Sequence, residues 1–130
     1  MNFRLRKKNI LHLESEVSDL LKSELNAFKF PVKLVYKFKT NDSSESMPFK
    51  VLFIVPKRYL KKAFKRNLIR RRMKEAFRLN QEIISKSIPQ NTTVLLALIY
   101  VSKDEVSFKH IQDSIVYLLK QIDLNEGNYS

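Results

Sequence analysis

The sequence predicts a single α+β domain whose helices and strands follow in the order αββαβα. Three segments carry apolar residues at helical spacing, and three shorter segments are rich in β-branched and aromatic residues, as strands are. A chain of 130 residues with 44% hydrophobic residues is long enough to bury one core and too short for two substantial domains. We therefore predict one domain over residues 1–130, with a central sheet.

The first helix and the first strand are predicted on either side of Pro31. Apolar residues recur at intervals of three and four up to Phe28, and Ser15 is a suitable N-cap, which predicts a helix over about 15–27. From Val32 to Lys39 apolar and basic residues then alternate, which predicts a half-buried strand with a basic outer face.

Two further strands follow from the pattern. Residues 40–48 are polar and turn-rich, so they predict a loop, and the strand predicted at 49–55 is expected to form an antiparallel pair with the first one. Residues 94–101 are almost continuously apolar, which is typical of a central strand covered on both faces.

Two longer helices complete the domain. The first is predicted over about 61–86, a segment rich in helix formers and free of Gly and Pro, and it ends before Pro89. The second is amphipathic and runs from about Phe108 to Ile122. We expect a flexible basic arm at residues 1–14 and a flexible polar tail at 124–130.

Composition narrows the possible partners. The chain has no Cys and two isolated His residues, which excludes disulfides and thiolate chemistry and disfavours a protein-held zinc site, so no cofactor is expected on the protein alone. Net charge is +12 and the pI is about 10.0, which favours a polyanionic partner. No apolar run is long enough for a membrane span, so we expect a cytoplasmic protein with no membrane partner.

Most of the positive charge lies in one segment. Residues 57–78 hold eleven of the 25 Lys and Arg residues, with Glu75 as the single acid. On a helical wheel with Phe64 at zero, one face between about 240° and 340° is basic and the neighbouring face is apolar. The basic face comprises Asn67, Arg70, Arg71, Lys74 and Arg78. Such a row suits a phosphate backbone, although a merely solvated charged face is the plainer alternative. DNA is disfavoured, because no helix-turn-helix, finger or basic-zipper pattern is present.

This segment resembles the signature of the bacterial ribonuclease P protein subunit. The usual form is Lys-Lys or Lys-Arg, followed by Ala-Val-x-Arg-Asn-Arg-x-Lys-Arg-x-x-Arg-Glu. Here Lys57-Arg58 precede the segment that runs from Ala63 to Glu75, AFKRNLIRRRMKE. The strand before the segment and the apolar strand after it also agree with the family.

The resemblance implies a fold similar to the second domain of a small-subunit ribosomal protein, with a mixed sheet and a left-handed βαβ crossover around the long helix. It also implies a protein that assists a catalytic RNA, which uses magnesium to remove the 5′ leader from precursor tRNA. The residues expected to bind RNA are then Lys57, Arg58, Lys62, Lys65, Arg66, Asn67, Arg70, Arg71, Lys74 and Arg78.

The resemblance further implies a cleft across the sheet and the first helix that guides the single-stranded leader. Tyr36, with Lys33 and Lys37 beside it, matches this cleft, since a flat aromatic next to basic residues suits a stacked base and its backbone. Tyr36 also alternates in phase with Leu34 and Phe38, so a core position is an equal alternative.

The chain departs from the family pattern at several positions. Leu68 replaces the second Arg of Arg-Asn-Arg, and Arg72, about 40° away on the wheel, is a candidate to substitute for it. Phe64 replaces Val, which we interpret as a packing change, and Val17 and Leu21 stand where the family tends to have Phe.

The sequence leaves two alternative functions. One is a general or ribosome-associated RNA-binding protein without a nuclease role, which charge and fold class alone would allow. The other is a nuclease in its own right, which has little support because no His or carboxylate cluster accompanies the basic face.

Overall fold

The computed structural model describes residues 14–40, 48–86, 88–89 and 91–126, and these form one sheet of four strands with four helices. The predicted arm up to residue 13, the loop residues 41–47 and the last four residues of the predicted tail lie outside the described residues. In chain order the elements are α1 Glu14–Leu21, β1 Asn26–Lys29, β2 Val32–Thr40, β3 Phe49–Ile54, α2 Ala63–Asn80, α3 Glu82–Ser85, β4 Thr92–Tyr100 and α4 Phe108–Glu126.

The predicted α+β class and mixed sheet are confirmed, but one predicted strand pair is wrong. Strands lie in the order β1-β2-β4-β3, so β4 separates β2 from β3, which were expected to pair with each other. β4 is apolar towards both faces and therefore takes an interior position, pairing antiparallel with β2 and parallel with β3. The β3–β4 connection through α2 and α3 is the expected βαβ unit, and its left hand stays a prediction.

Several element boundaries differ from the prediction, and one strand was not predicted. α1 ends at Leu21, and β1 replaces the remainder of the predicted first helix. β1 is a four-residue edge strand with a mostly exposed sequence, NAFK, so it carries no alternation that would reveal it. The long helix is interrupted at Gln81, and α3 begins at the next residue, Glu82. α4 continues to Glu126, three residues into the predicted tail.

Alternation along β2 divides the sheet into two faces. Val32, Leu34 and Tyr36 point into the larger core, which α2, α3 and α4 complete. Lys33, Val35 and Lys37 point to the opposite face, where α1 packs Leu20 against Val35, Leu95 and Ala97. The basic outer face predicted for this strand therefore lies on the α1 side of the sheet.

The predicted apolar seam of the long helix is confirmed. Ile69, Met73, Ala76 and Phe77 are all fully buried, and the Phe77 ring packs edge-on against Phe49 and Phe53 at centroid distances of 5.2 and 5.8 Å. Each large apolar side chain buried in this way stabilises the fold by about 1.5–3 kcal/mol. Burial of this seam fixes the rotation of α2 and decides which of its residues meet solvent.

The segment between β4 and α4 is held from two sides. The buried Tyr100 hydroxyl donates to the Asp104 carbonyl and accepts a hydrogen bond from the Val106 N–H at 3.1 Å. Arg72 of α2 donates to the carbonyl of the same Val106 at 2.9 Å. Burial, the largest influence, raises the pKa of the Tyr100 hydroxyl above its ordinary value, which keeps it protonated as a donor.

Candidate nucleic-acid interface

The basic surface begins at the turn that leads from β3 into α2. Val55 and Leu60 are buried and anchor this turn, and the amides of Tyr59 and Leu60 both donate to the Pro56 carbonyl. Lys57 and Arg58 are exposed at the turn, and the Arg58 guanidinium lies 5.1 Å from the centroid of the Tyr59 ring. The turn therefore presents two cations immediately before the helix.

Arg66 fixes the start of α2 as well as carrying charge. Its Nη1 donates to the carbonyls of Leu60 and Lys61 at 2.9 and 2.8 Å. The wheel puts Arg66 at about 200°, outside the basic face, and its side chain folds back along the start of the helix. A guanidinium has five N–H donors, so Arg66 retains donors for a phosphate.

The exposed row of α2 is close to the predicted one. Asn67, Arg71 and Lys74 are exposed and Arg70 is half-buried, and Arg70 Nη1 donates to the Asn67 side-chain oxygen at 3.0 Å. Lys62 is exposed just before the helix, and Lys65 is half-buried on its flank. The structure thus brings most of the predicted RNA-binding residues to the solvent side of one rigid helix.

Within the described ranges, Arg78 is the one member of the row with an acidic partner. Its Nη2 and Nε donate to the two carboxylate oxygens of Glu75 at 2.6 and 3.0 Å. The hydrogen bond from Arg78 is the main cause that holds the pKa of Glu75 below its ordinary value, so the pair is charged at neutral pH and is lost only as the pH falls through that lowered value. Glu75 therefore offsets part of the positive charge at this end of the row.

Arg72, the candidate to replace the missing arginine at position 68, is bonded within the protein. Besides Val106, its guanidinium contacts the Glu105 carboxylate at 3.3 Å, and its side chain is only 25% exposed. On the wheel it lies at about 80°, the side that faces the segment before α4. These contacts favour a structural role for Arg72, whose side chain joins α2 to that segment, over the hypothesis that it takes over an RNA contact.

The second predicted surface, on the α1 side of the sheet, is present in part. Lys33 and Lys37 are exposed there, on either side of the buried Val35. Tyr36 is only 1% exposed and points into the opposite core, where its ring packs edge-on against Phe38 at 5.8 Å. Tyr36 is therefore a core residue, and the prediction that its ring offers a stacking platform for the leader is wrong.

One basic residue of this surface was missed by the sequence analysis. Lys50 of β3 and Lys37 of β2 both stand opposite Leu95 of β4, so the three side chains share the α1 face. The alternation of Lys50, Leu52 and Ile54 in the strand sequence was the available signal. This alternation alone does not place Lys50 beside Lys37, because that also requires the strand order.

The chain is compared with models of protein families and with curated proteins, and its fold is compared with solved structures. A model of the Ribonuclease P family matches residues 5–123. None of the curated proteins compared with the chain matches it.

None of the helices in the described ranges is long and apolar enough to cross a membrane.

Solved structures of ribonuclease P proteins have the same fold. The Staphylococcus aureus RNase P protein shares 16% identity with a TM-score of 0.63, over 88% of this chain and 94% of that chain. A mutant of that protein, described as having defective mRNA degradation activity, shares 17% identity with a TM-score of 0.68, over 89% of each chain. The Thermotoga maritima protein shares 21% identity with a TM-score of 0.61, over 85% of this chain and 94% of that chain.

The family match covers most of the chain, and the fold agrees with solved structures of ribonuclease P proteins. Membership gives this protein a role in ribonuclease P and in tRNA processing, with the ribonuclease P RNA as its partner. The chain belongs to the ribonuclease P family, as its protein subunit.

Proposed function

We propose that this subunit binds the ribonuclease P RNA through the exposed row of α2, here called the α2 row and consisting of Asn67, Arg70, Arg71, Lys74 and Arg78. The observation that carries the proposal is the charge of the helix. Seven of its 18 residues are Lys or Arg and one is acidic, which leaves a net charge of +6. The apolar seam turns this charge outward, where phosphates can be neutralised and their counterions released.

The α1 side of the sheet supports a second contact, with the 5′ leader of precursor tRNA. Lys33, Lys37 and Lys50 surround a partly apolar floor that includes the half-buried Leu52 and Ile99. A surface of this kind, basic and partly apolar, suits a single strand, because lysines track the backbone while apolar surface contacts unstacked bases. Tyr36 takes no part in this proposed contact, because its ring is buried on the other face of the sheet.

In this proposal the RNA, with its own magnesium, carries out the hydrolysis. Among the described residues, no three His, Asp or Glu side chains are grouped closely enough to hold a metal ion. The protein side chains position RNA and substrate by hydrogen bonds and charge, and we assign no catalytic residue to them. The expected location is the cytoplasm, where precursor tRNA is made.

Reconstitution tests the proposed function. The purified protein is added to a cognate ribonuclease P RNA and precursor tRNA at low magnesium, and cleavage of the leader is followed. We expect faster cleavage with the wild-type protein, and much less stimulation with Arg70→Ala/Lys74→Ala. Lys109→Ala/Lys120→Ala is the matched control, because it removes the same charge from exposed positions on α4.

Two results would contradict the proposal. One is a wild-type protein that leaves the cleavage rate unchanged. The other is equal affinity for unrelated structured RNAs, which is what a general RNA-binding protein without a nuclease role predicts.

A further inference from the structure

Phe64 is the most exposed of the large hydrophobic side chains in the described part of the chain, at 65%. It lies in the first turn of α2, directly after Ala63. The other aromatic residue of the helix, Phe77, is fully buried, and Phe64 belongs to neither of the two core clusters. The replacement of Val by Phe at this position is therefore not the packing change that the sequence suggested.

The ring lies beside the cations of the α2 row. Asn67 and Arg71 follow Phe64 at three and seven residues, so they form one stripe along the helix surface. The apolar seam lies on the opposite side, centred about 160° away. Before the helix, the Lys62 ammonium lies 6.0 Å from the centroid of the Phe64 ring.

This environment selects the kind of contact the ring can make. An apolar protein partner would have to desolvate the neighbouring cations without pairing them, which is unfavourable. An RNA strand satisfies both groups, because its phosphates pair with the cations and an unstacked base covers the ring. Bases inside a duplex are already stacked, so the base must be unpaired.

We propose that Phe64 stacks on an unpaired base of the ribonuclease P RNA, next to the phosphates bound by the α2 row. The inference rests on the proposed function and deepens it: it adds a contact with a base to a surface otherwise made for phosphates. It also gives the helix a preference for a place in the RNA where a single-stranded nucleotide adjoins structured backbone.

Fluorescence provides a direct test, because the chain contains no Trp. Phe64→Trp introduces a single tryptophan at the proposed contact, and Tyr117→Trp, on an exposed position of α4, is the matched control. On titration with ribonuclease P RNA, we expect strong quenching of the emission of Phe64→Trp by the stacked base, and little change for Tyr117→Trp.

Binding by Phe64→Ala supplies the second readout. Loss of one stacked base is expected to weaken RNA binding about 5- to 150-fold. Because Phe64 carries no charge, the dependence of affinity on salt should keep its wild-type slope. Circular dichroism and thermal unfolding of each variant show that it is folded.

The outcomes separate this inference from the function it rests on. Wild-type protein that binds the RNA, together with unquenched Phe64→Trp and unchanged affinity of Phe64→Ala, would overturn the stacking contact alone. Wild-type protein that fails to bind the RNA would overturn both. Quenching of Phe64→Trp by an acidic protein but not by the RNA would assign the ring to a protein partner and overturn the inference as well.

Discussion

At the scale of single residues, neighbouring arginines in α2 have different tasks. The Arg71 side chain is exposed and makes no hydrogen bond or ion pair with another described residue, whereas the Arg72 side chain is bonded to Val106 and Glu105. Charge counting treats the two as equal. The rotation of the helix, set by its buried seam, makes one available to RNA and the other part of the fold.

Substitution of each arginine by Ala should separate these tasks. Arg71→Ala is expected to weaken RNA binding and to reduce the slope of log affinity against log salt by about 0.7–0.9, with unfolding free energy unchanged within about 0.5 kcal/mol. Arg72→Ala is expected to cost about 1–3 kcal/mol of stability, since the Val106 carbonyl loses its donor, and to keep the slope. Urea unfolding and salt-dependent binding measure both. Identical effects of the two substitutions would contradict the assignment.

Glu75 is expected to restrain RNA binding through Arg78. Glu75→Gln removes the carboxylate that holds Arg78, and this carboxylate is also the only acid of α2. RNA affinity should therefore rise, and the slope of log affinity against log salt should increase by up to about 0.7–0.9, the contribution of one phosphate contact. Asp113→Asn on α4 is the matched control, because it removes the same charge beside Lys109. If Asp113→Asn raises affinity as much as Glu75→Gln does, net charge and not the local pair is responsible.

At the scale of elements, the sequence predicted most of the fold because its signals were local. The seam of α2, the alternation of β2 and the apolar run of β4 each follow from side-chain period within one segment. The strand order could not be predicted from these signals, since pairing joins residues far apart in the chain. β1 was missed because four mostly exposed residues carry too little pattern.

The candidate site was predicted to a similar extent. The α2 row followed from helical period, and its outcome agrees with the wheel at Asn67, Arg71 and Lys74. The partners of Arg66 and Arg72 could not be foreseen, because they depend on the turn before α2 and on the segment before α4. The Glu75–Arg78 pair, three residues apart in one helix, follows from helical spacing. Tyr36 was ambiguous because the same alternation fits either face until the packing of the helices is known.

Substitution of Tyr36 tests its place in the β2 strand. Tyr36→Ala should lower the unfolding free energy by about 3–5 kcal/mol, as for other large aromatic residues removed from a core. The adjacent Lys37→Ala, exposed on the α1 side, should change it by less than about 0.5 kcal/mol and should weaken binding of precursor tRNA relative to mature tRNA. Full stability of Tyr36→Ala with loss of leader binding would restore the stacking-platform interpretation.

At the scale of the whole molecule, the sheet separates two basic surfaces. α2 belongs to the layer that covers the Tyr36 face, while Lys33, Lys37 and Lys50 lie on the α1 face. In the proposed function, the ribonuclease P RNA and the leader therefore bind opposite faces of the sheet and do not compete for one surface. Part of the positive charge of the chain thus lies on each face of the sheet: α2 has a net charge of +6, and the α1 face carries the three lysines.

The most direct test of the central claim, that the α2 row binds the ribonuclease P RNA, is the salt dependence of that binding. Affinity is measured over a range of salt concentrations for the wild type, Arg70→Ala/Lys74→Ala and the control Lys109→Ala/Lys120→Ala. We expect the slope of log affinity against log salt to fall by about 1.4–1.8 for the α2 variant, which loses two phosphate contacts, and to stay at the wild-type value for the control. An unchanged slope for Arg70→Ala/Lys74→Ala, or an equal fall in the α4 control, would contradict the claim.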